Sequence, residues 1–324
     1  MHCGSDFTSR MRPDTKPIDA EAACAFVSQR VTRPIGSLAW ISQYLCCIRW
    51  DEVLILQGSP LLGLTFSIGS LTPAKIADAI LFAAGSLALL AHVFVLNDWA
   101  GLTGDSRDPN RASDVLVNGA IGRTGMRYLW IVLLALSLFL LSPFGHRTLL
   151  IALAIACLSA LYSAPQFHMK GVPMISTAIH LAGGLLHFLL GYSLFAPVDA
   201  RGLEVAAFFA LAFAAGHLTH ETRDRHADLL NHISTNAVRF GERHSFIAAV
   251  ALFTAADLWL ILLAVQKRIP GVLLAVVPVA AARLYWSAQT YRGGLDFDSV
   301  RLLQVRYRVL YACVGLLLFL AVLA

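Results

Sequence analysis

Long apolar runs separated by short polar connections succeed one another from about residue 53 to residue 324. Segments near or above the roughly 18 residues that read as a membrane-spanning helix fall at 53–70, 77–96, 126–144, 147–164, 174–196, 203–219, 245–265, 270–287 and 307–324. They predict an all-α, polytopic membrane protein, a bundle of nine transmembrane helices. Ahead of them GSLAWISQYLCCIRW, Gly36 to Trp50, is apolar but short. Its Trp40, Tyr44 and Trp50 suit the headgroup level, which predicts a helix lying in the interface over about 37–50. Residues 1–36 are charged throughout and lack the apolar core and small-residue cleavage site of a secretory signal. They are expected to form a cytoplasmic tail in front of a transmembrane domain at 37–324.

Composition strengthens the membrane reading, since 57% of the residues are hydrophobic and 14% charged, against roughly 25% charged in a soluble domain. The six cysteines show no CxxC spacing and suggest neither a disulfide framework nor a zinc site. The formal charge of +5 follows from topology and implies no nucleic-acid partner. One side of the predicted spans collects Arg107, Arg111, Arg123, Arg127, Lys170, Arg223, Arg225, Arg239 and Arg243, among others, while the opposite side has Lys75, Arg147, Arg201, Lys267 and Arg268. By the positive-inside rule the first side is cytoplasmic, and the expected location is a cell (inner) membrane.

Chemistry concentrates on that side. NDWAGLTGDSRD, Asn97 to Asp108, comes directly after the second apolar run, and the sixth leads into Glu221, Asp224 and Asp228 at i, i+3 and i+7. On a helix such spacing stacks carboxylates on one face, where like charges repel unless a cation lies between them. Asp98 and Asp105, also seven apart, repeat the arrangement. Two such faces at the ends of two membrane helices make a hard, oxygen-rich site of the kind Mg2+ prefers, completed by phosphate oxygens. Lys170 in the short connection LYSAPQFHMKGVPM, with Arg107, Arg111, Arg223 and Arg225 interleaved among the acids, adds what a Mg2+-bridged diphosphate requires. Gly101, Gly104 and Pro109 are poor helix material, so the second helix is expected to break there and GDSRDPNR to fold over the diphosphate as a loop.

These residues resemble the UbiA superfamily of intramembrane prenyltransferases. The first signature, NDxxDxxxD, is matched by Asn97, Asp98 and Asp105. Gly101 occupies the place of the middle aspartate, and Asp108 is the candidate replacement. The second, DxxDxxxD followed by a Thr and a Gly, is matched by Glu221, Asp224 and Asp228 with Thr235 and Gly241; its first acid is Glu, and His220 stands where many members have Lys. Tyr162 and Lys170 match the tyrosine and lysine of the connecting loop. The resemblance covers nearly the whole chain and implies nine helices with the motifs after helices two and six. It implies Mg2+-dependent transfer of an isoprenoid from an allylic prenyl diphosphate to a small acceptor, commonly an aromatic ring such as a phenolic, quinone precursor or quinolone. Two Mg2+ ions would be held by Asn97, Asp98, Asp105, Asp108, Glu221, Asp224 and Asp228. The diphosphate would be held by Lys170, Arg107, Arg111, Arg225 and Tyr162. Asp98, Asp105, Asp224, Asp228 and Lys170 would be the catalytic set.

His180, His187 and His217 read as lining an acceptor pocket or bonding between helices, ahead of haem ligation, which would leave the acids unexplained. Asp257 and Arg283 lie inside predicted spans and are expected to pair with each other. A transporter or lipid-binding protein using the same cavity is the alternative function, although the acids gather at one face rather than at mid-membrane. The acceptor, the donor's chain length and the oligomeric state stay open.

Overall fold

The computed structural model describes residues 37–105 and 112–323. Arg107, Asp108 and Arg111, like the tail at 1–36, lie outside the described residues. Compactness divides the chain between Ser42 and Gln43, inside the first described helix, α1 (Ser37–Cys46), and the part from Gln43 onward carries every other element.

Every regular element among the described residues is helical. After α1 come α2 (Trp50–Leu56), α3 (Gly58–Ile68), α4 (Pro73–Asp105), α5 (Ala112–Leu141), α6 (His146–Ser163), α7 (Ile175–Tyr192) and α8 (Ala200–Leu230). The chain continues through α9 (Asn236–Phe240), α10 (Glu242–Val265), α11 (Val276–Gly293) and α12 (Phe297–Leu323). Among the described residues eight segments are long and apolar enough to cross a membrane, and the chain is an integral, multi-pass membrane protein. The ninth segment, expected as one span over 53–70, is the broken pair α2 and α3. Gln57 between them keeps right-handed helical angles (φ −59°, ψ −22°). Its buried amide nitrogen, Nε2, donates to α4 at Ala83 O (3.2 Å) and Ser86 Oγ (2.5 Å). Pro60 falls in the first turn of α3, where a missing N–H costs nothing.

The interior closes where small residues let backbones meet. A Cβ on Gly63 of α3 would collide with the Phe188 carbonyl of α7, and one on Gly191 of α7 with the Pro60 carbonyl of α3, the close helix crossing that small residues permit in membranes. Deeper charges are paired. Arg283 of α11 and Asp257 of α10 are 1% and 2% exposed, and their side chains meet at 2.7 Å. Tyr311 of α12 donates to the other Asp257 oxygen at 2.7 Å, and the guanidinium lies 5.2 Å from the Phe253 ring centre.

Two helices outrun the bilayer. At 1.5 Å per residue, the 33 residues of α4 and the 31 of α8 reach about 50 Å and about 46 Å against a hydrocarbon core of about 30 Å. Their apolar stretches end at Leu96 and near Thr219, yet both helices continue through the acidic motifs. No break occurs at either glycine, since α4 is helical through Gly101 and Gly104 to Asp105; the remainder of the expected loop, 106–111, lies outside the described residues. Each glycine costs a helix only up to about 1 kcal/mol, and Gly104 lies so close to the Asn231 side chain of α8 that a Cβ would stand 3.2 Å from it. At the opposite end α8 starts on Asp199, which accepts from Gly202 N at 2.8 Å and from the Tyr192 hydroxyl at 3.0 Å. The Gly202 N–H is the larger cause of an Asp199 carboxyl held below its ordinary range.

Candidate active site

The overrun of α4 and α8 leaves a cavity of about 240 Å³ between their motif ends and the loop after α6. Asn97, Ala100, Gly101, Thr103, Gly104 and Asp105 form one wall; Asp224, Ala227, Asp228, Asn231 and Ile233 form another; Ser163, His168 and Lys170 close the third side. Sequence spacing thus brings Asn97, Asp105, Asp224, Asp228 and Lys170 to one space.

Each wall residue is set by a local device. His168 takes the left-handed conformation (φ 45°, ψ 43°) and starts the tight turn Met169–Gly171 that delivers Lys170. Its Nζ stands 4.0 Å from Asp228 Oδ1, while Thr235 donates its hydroxyl to Asp228 Oδ2 at 3.1 Å. Asp228 is 5% exposed, so two partners from different segments fix its orientation. Asp224 accepts a bidentate pair from Arg223 at 2.6 and 2.8 Å, and Arg223 also donates to Gln304 of α12 at 2.8 Å. Ser163 donates to Asn97 Oδ1 at 3.3 Å.

The leading acids of both motifs turn elsewhere. Asp98 accepts from Arg49 Nη2 at 2.8 Å and is 2% exposed. Glu221 accepts from Asn236 N (3.0 Å), Asn236 Nδ2 (2.9 Å) and Ser176 Oγ (3.2 Å). His217 Nε2 lies 3.0 Å from Glu221 Oε1. On a helix the i, i+4 pair Asp224 and Asp228 shares the cavity face, whereas Glu221 is rotated toward α7 and α9. Arg225 lies at a neighbouring cavity of about 210 Å³ with Arg223, Glu242 and Asp296, donating to Ala237 O at 3.3 Å. Tyr162 sets its ring edge-on to His180 at 4.8 Å. His220 accepts from Arg308 Nη2 at 3.0 Å, and Arg308 pairs with Glu52 of α2 at 2.8 Å. Sequence reading overlooked Arg49, Ser163, His168, Asn231 and Asn236. Ser163 and His168 stand in the stretch already singled out for Tyr162 and Lys170, and Asn231 and Asn236 stand within or beside the second signature, between Asp228 and Thr235 and directly after Thr235.

The donor set suits Mg2+ of a particular kind of site. Among the described residues no three His, Cys, Asp or Glu side chains converge as one metal cage. The carboxylates instead stand on facing walls, Asp105 on α4 and Asp224 with Asp228 on α8. Mg2+ characteristically takes one or two carboxylates and completes its shell with water and phosphate oxygens, which is what facing walls with room between them provide.

Residues 59–323 match the family model described as UbiA prenyltransferase family. A 4-hydroxybenzoate octaprenyltransferase from Yersinia pseudotuberculosis serotype IB (strain PB1/+) is 26% identical over 244 residues, covering 73% of this chain and 74% of that protein. A UbiA homolog from Archaeoglobus fulgidus bound to GPP and Mg2+ superposes with a TM-score of 0.67 at 20% identity, covering 87% of this chain and 99% of that one. A structure concerned with digeranylgeranylglyceryl phosphate synthase superposes with a TM-score of 0.65 at 18% identity, over 87% of this chain and 98% of that one.

Proposed function

The chain belongs to the UbiA prenyltransferase family, and from that premise we propose that it carries out Mg2+-dependent transfer of an isoprenoid from an allylic prenyl diphosphate to a small aromatic acceptor, a phenolic, quinone precursor or quinolone. The observation that carries this reading is the cavity in which carboxylates from two helices face each other beside Lys170. The 4-hydroxybenzoate octaprenyltransferase supports an aromatic acceptor, and the GPP and Mg2+ bound by the Archaeoglobus fulgidus homolog support the donor and the metal.

Asn97, Asp105, Asp224 and Asp228 would hold two Mg2+ ions, which when bound neutralise charge on the leaving diphosphate. Lys170 binds the remaining phosphate oxygens as a point charge, and the Arg223 fork holds Asp224 in place for its task. Asp98 and Glu221 serve the same site from behind, tying α4 to Arg49 and α8 to α7 and α9. The allylic cation left when the C–O bond breaks must be kept from water, and apolar side chains of the bundle below the cavity exclude it. The acceptor carbon attacks and then loses its proton. The acids face the cytoplasmic side of a cell (inner) membrane, the side with most Lys and Arg, and residues 37–324 act as one transferase domain behind the tail at 1–36.

Purified protein offered geranyl, farnesyl and geranylgeranyl diphosphates with a panel of hydroxyaryl acceptors is expected to yield prenylated products by mass spectrometry, abolished by EDTA. Ligand uptake with no product would instead favour the carrier reading.

A further inference from the structure

The connection that carries Lys170 lies between two residues of unusual backbone. His168 opens it in the left-handed conformation, and Met174 closes it at φ 65° and ψ −42°. Ile175 N donates to Pro173 O across Met174 at 2.8 Å, which makes Met174 the centre of a γ-turn of the rare, strained, positive-φ form. Strain of this kind persists only where the surroundings hold it, and it gathers where a function uses the geometry. The Met174 side chain is 66% exposed, so its own packing does little of the holding. Bonds inside the connection are local, Gly171 N to His168 O at 3.1 Å and Val172 N to Met169 O at 3.0 Å. The bond from Met174 N crosses to another segment, donating at 2.8 Å to Oδ1 of Asn236 on α9.

Asn236 is itself held hard. It is 2% exposed, and while its oxygen takes the Met174 N–H its Nδ2 faces acceptors, Glu221 Oε2 at 2.9 Å, Thr177 Oγ1 at 3.1 Å and Ser176 Oγ at 3.2 Å, which share its two hydrogens. A backbone donor on one side and a carboxylate on the other fix which way the amide points. Its backbone N–H donates to the same Glu221 oxygen at 3.0 Å, so Glu221, rooted on α8, grips the residue twice. Thr235, one residue earlier, donates to Asp228. Two adjacent residues thus set both sides of one gap: Thr235 orients Asp228, and Asn236 ties down the connection whose Lys170 stands 4.0 Å from that acid. Ile233 of the same segment lines the cavity, and a Cβ on Gly171 would lie 3.7 Å from it.

We propose that Asn236 is the positioning residue for Lys170: it ties the strained turn at Met174 to Glu221 and so sets the gap between the Lys170 ammonium and Asp228. Glu221 has its task here as the anchor of this tether, behind the cavity wall. A lysine on a long, flexible stem acts as a point charge, and its reach is useful only when the backbone that carries it is fixed. That the gap receives a prenyl diphosphate rests on the transferase reading; the tethering of the turn does not.

The test compares full-length wild type with Asn236→Ala in lipid nanodiscs, with Asn236→Ser, which keeps a polar group at the buried position, in its place should the alanine variant fail to fold. Hydrogen exchange read by mass spectrometry is expected to speed about tenfold or more over residues 167–176 and to change little in α10 and α12. The second readout is the Kd of geranyl thiolodiphosphate with Mg2+, measured without turnover. Asn236→Ala is expected to weaken it about tenfold, the worth of one contact to a charged group, whereas in a Lys170→Met background the same substitution is expected to change it less than about twofold. Unchanged exchange over 167–176, an equal rise across α10 and α12, an unchanged Kd, or a loss that persists in full without Lys170 overturns the positioning role. Faster exchange confined to 167–176 in a protein whose wild type binds no thiolodiphosphate removes the transferase reading and upholds the tether.

Discussion

Asp228 on α8 and Asp257 on α10 are both buried aspartates with a basic partner, yet they are held in different ways. Asp257 meets Arg283 at 2.7 Å, its second oxygen is taken by Tyr311, and the partner side chain is 1% exposed. Asp228 stands 4.0 Å from a Lys170 whose side chain is 29% exposed, and it borders a cavity. The first geometry leaves no space between the charges and welds three helices. The second leaves room for another group between carboxylate and ammonium. The same residue types therefore act as a rivet inside the bilayer and as an open clamp at its edge, and the difference lies in the distance and in what fills it.

The largest expected effect comes from breaking the rivet. Arg283→Ala strands a buried Asp257 and is expected to cost about 3–5 kcal/mol of stability, read by thermal unfolding in detergent, with activity per folded molecule near wild type. Unchanged unfolding would mean that the pair does not hold these helices. At the clamp the pattern reverses. Asp228→Asn keeps the shape and the Thr235 hydroxyl contact but lowers the charge facing the cavity, and turnover is expected to fall on the order of 10²-fold or more with the melting temperature unaltered. A melting loss like that of Arg283→Ala would erase the contrast between the two sites.

Much of this division was legible in the sequence. The apolar runs gave the helices, and the seven-residue spacing of acids gave the ends at which they gather, because α4 and α8 stay helical past their apolar stretches. The Asp257 and Arg283 pairing was also legible, since two charges inside spans have little else to meet. Less visible was which acid faces which way. Asp98 turns to Arg49 and Glu221 to Asn236 and Ser176, and those partners come from distant segments whose placement depends on packing. The break at Gln57 was hidden for the same reason: its amide is tolerable in an apolar run only because α4 offers Ala83 and Ser86 opposite it.

Two smaller effects bear on the clamp alone. Lys170→Met is expected to raise KM for the prenyl diphosphate about tenfold, the worth of one contact to a charged group, and to leave KM for the acceptor alone; equal changes in both would place Lys170 outside diphosphate binding. Gly101→Asp should be milder. Its Cβ would lie 3.2 Å from Asp105 Oδ2, on the cavity wall, so a third carboxylate there is expected to lower the Mg2+ concentration for half-maximal rate by a few-fold through added charge. Unchanged metal dependence would place Gly101 away from the ion.

The most direct test of the acid-walled cavity is the position of the metal itself, read from Mn2+ anomalous scattering in crystals grown with a non-hydrolysable geranyl thiolodiphosphate. Mn2+ is expected between the α4 and α8 walls, in coordination reach of Asp228 and of Asp224 or Asp105, with the diphosphate against Lys170. Mn2+ bound instead in the neighbouring cavity by Glu242 and Asp296, or diphosphate bound with no Mn2+ between the walls, would contradict it.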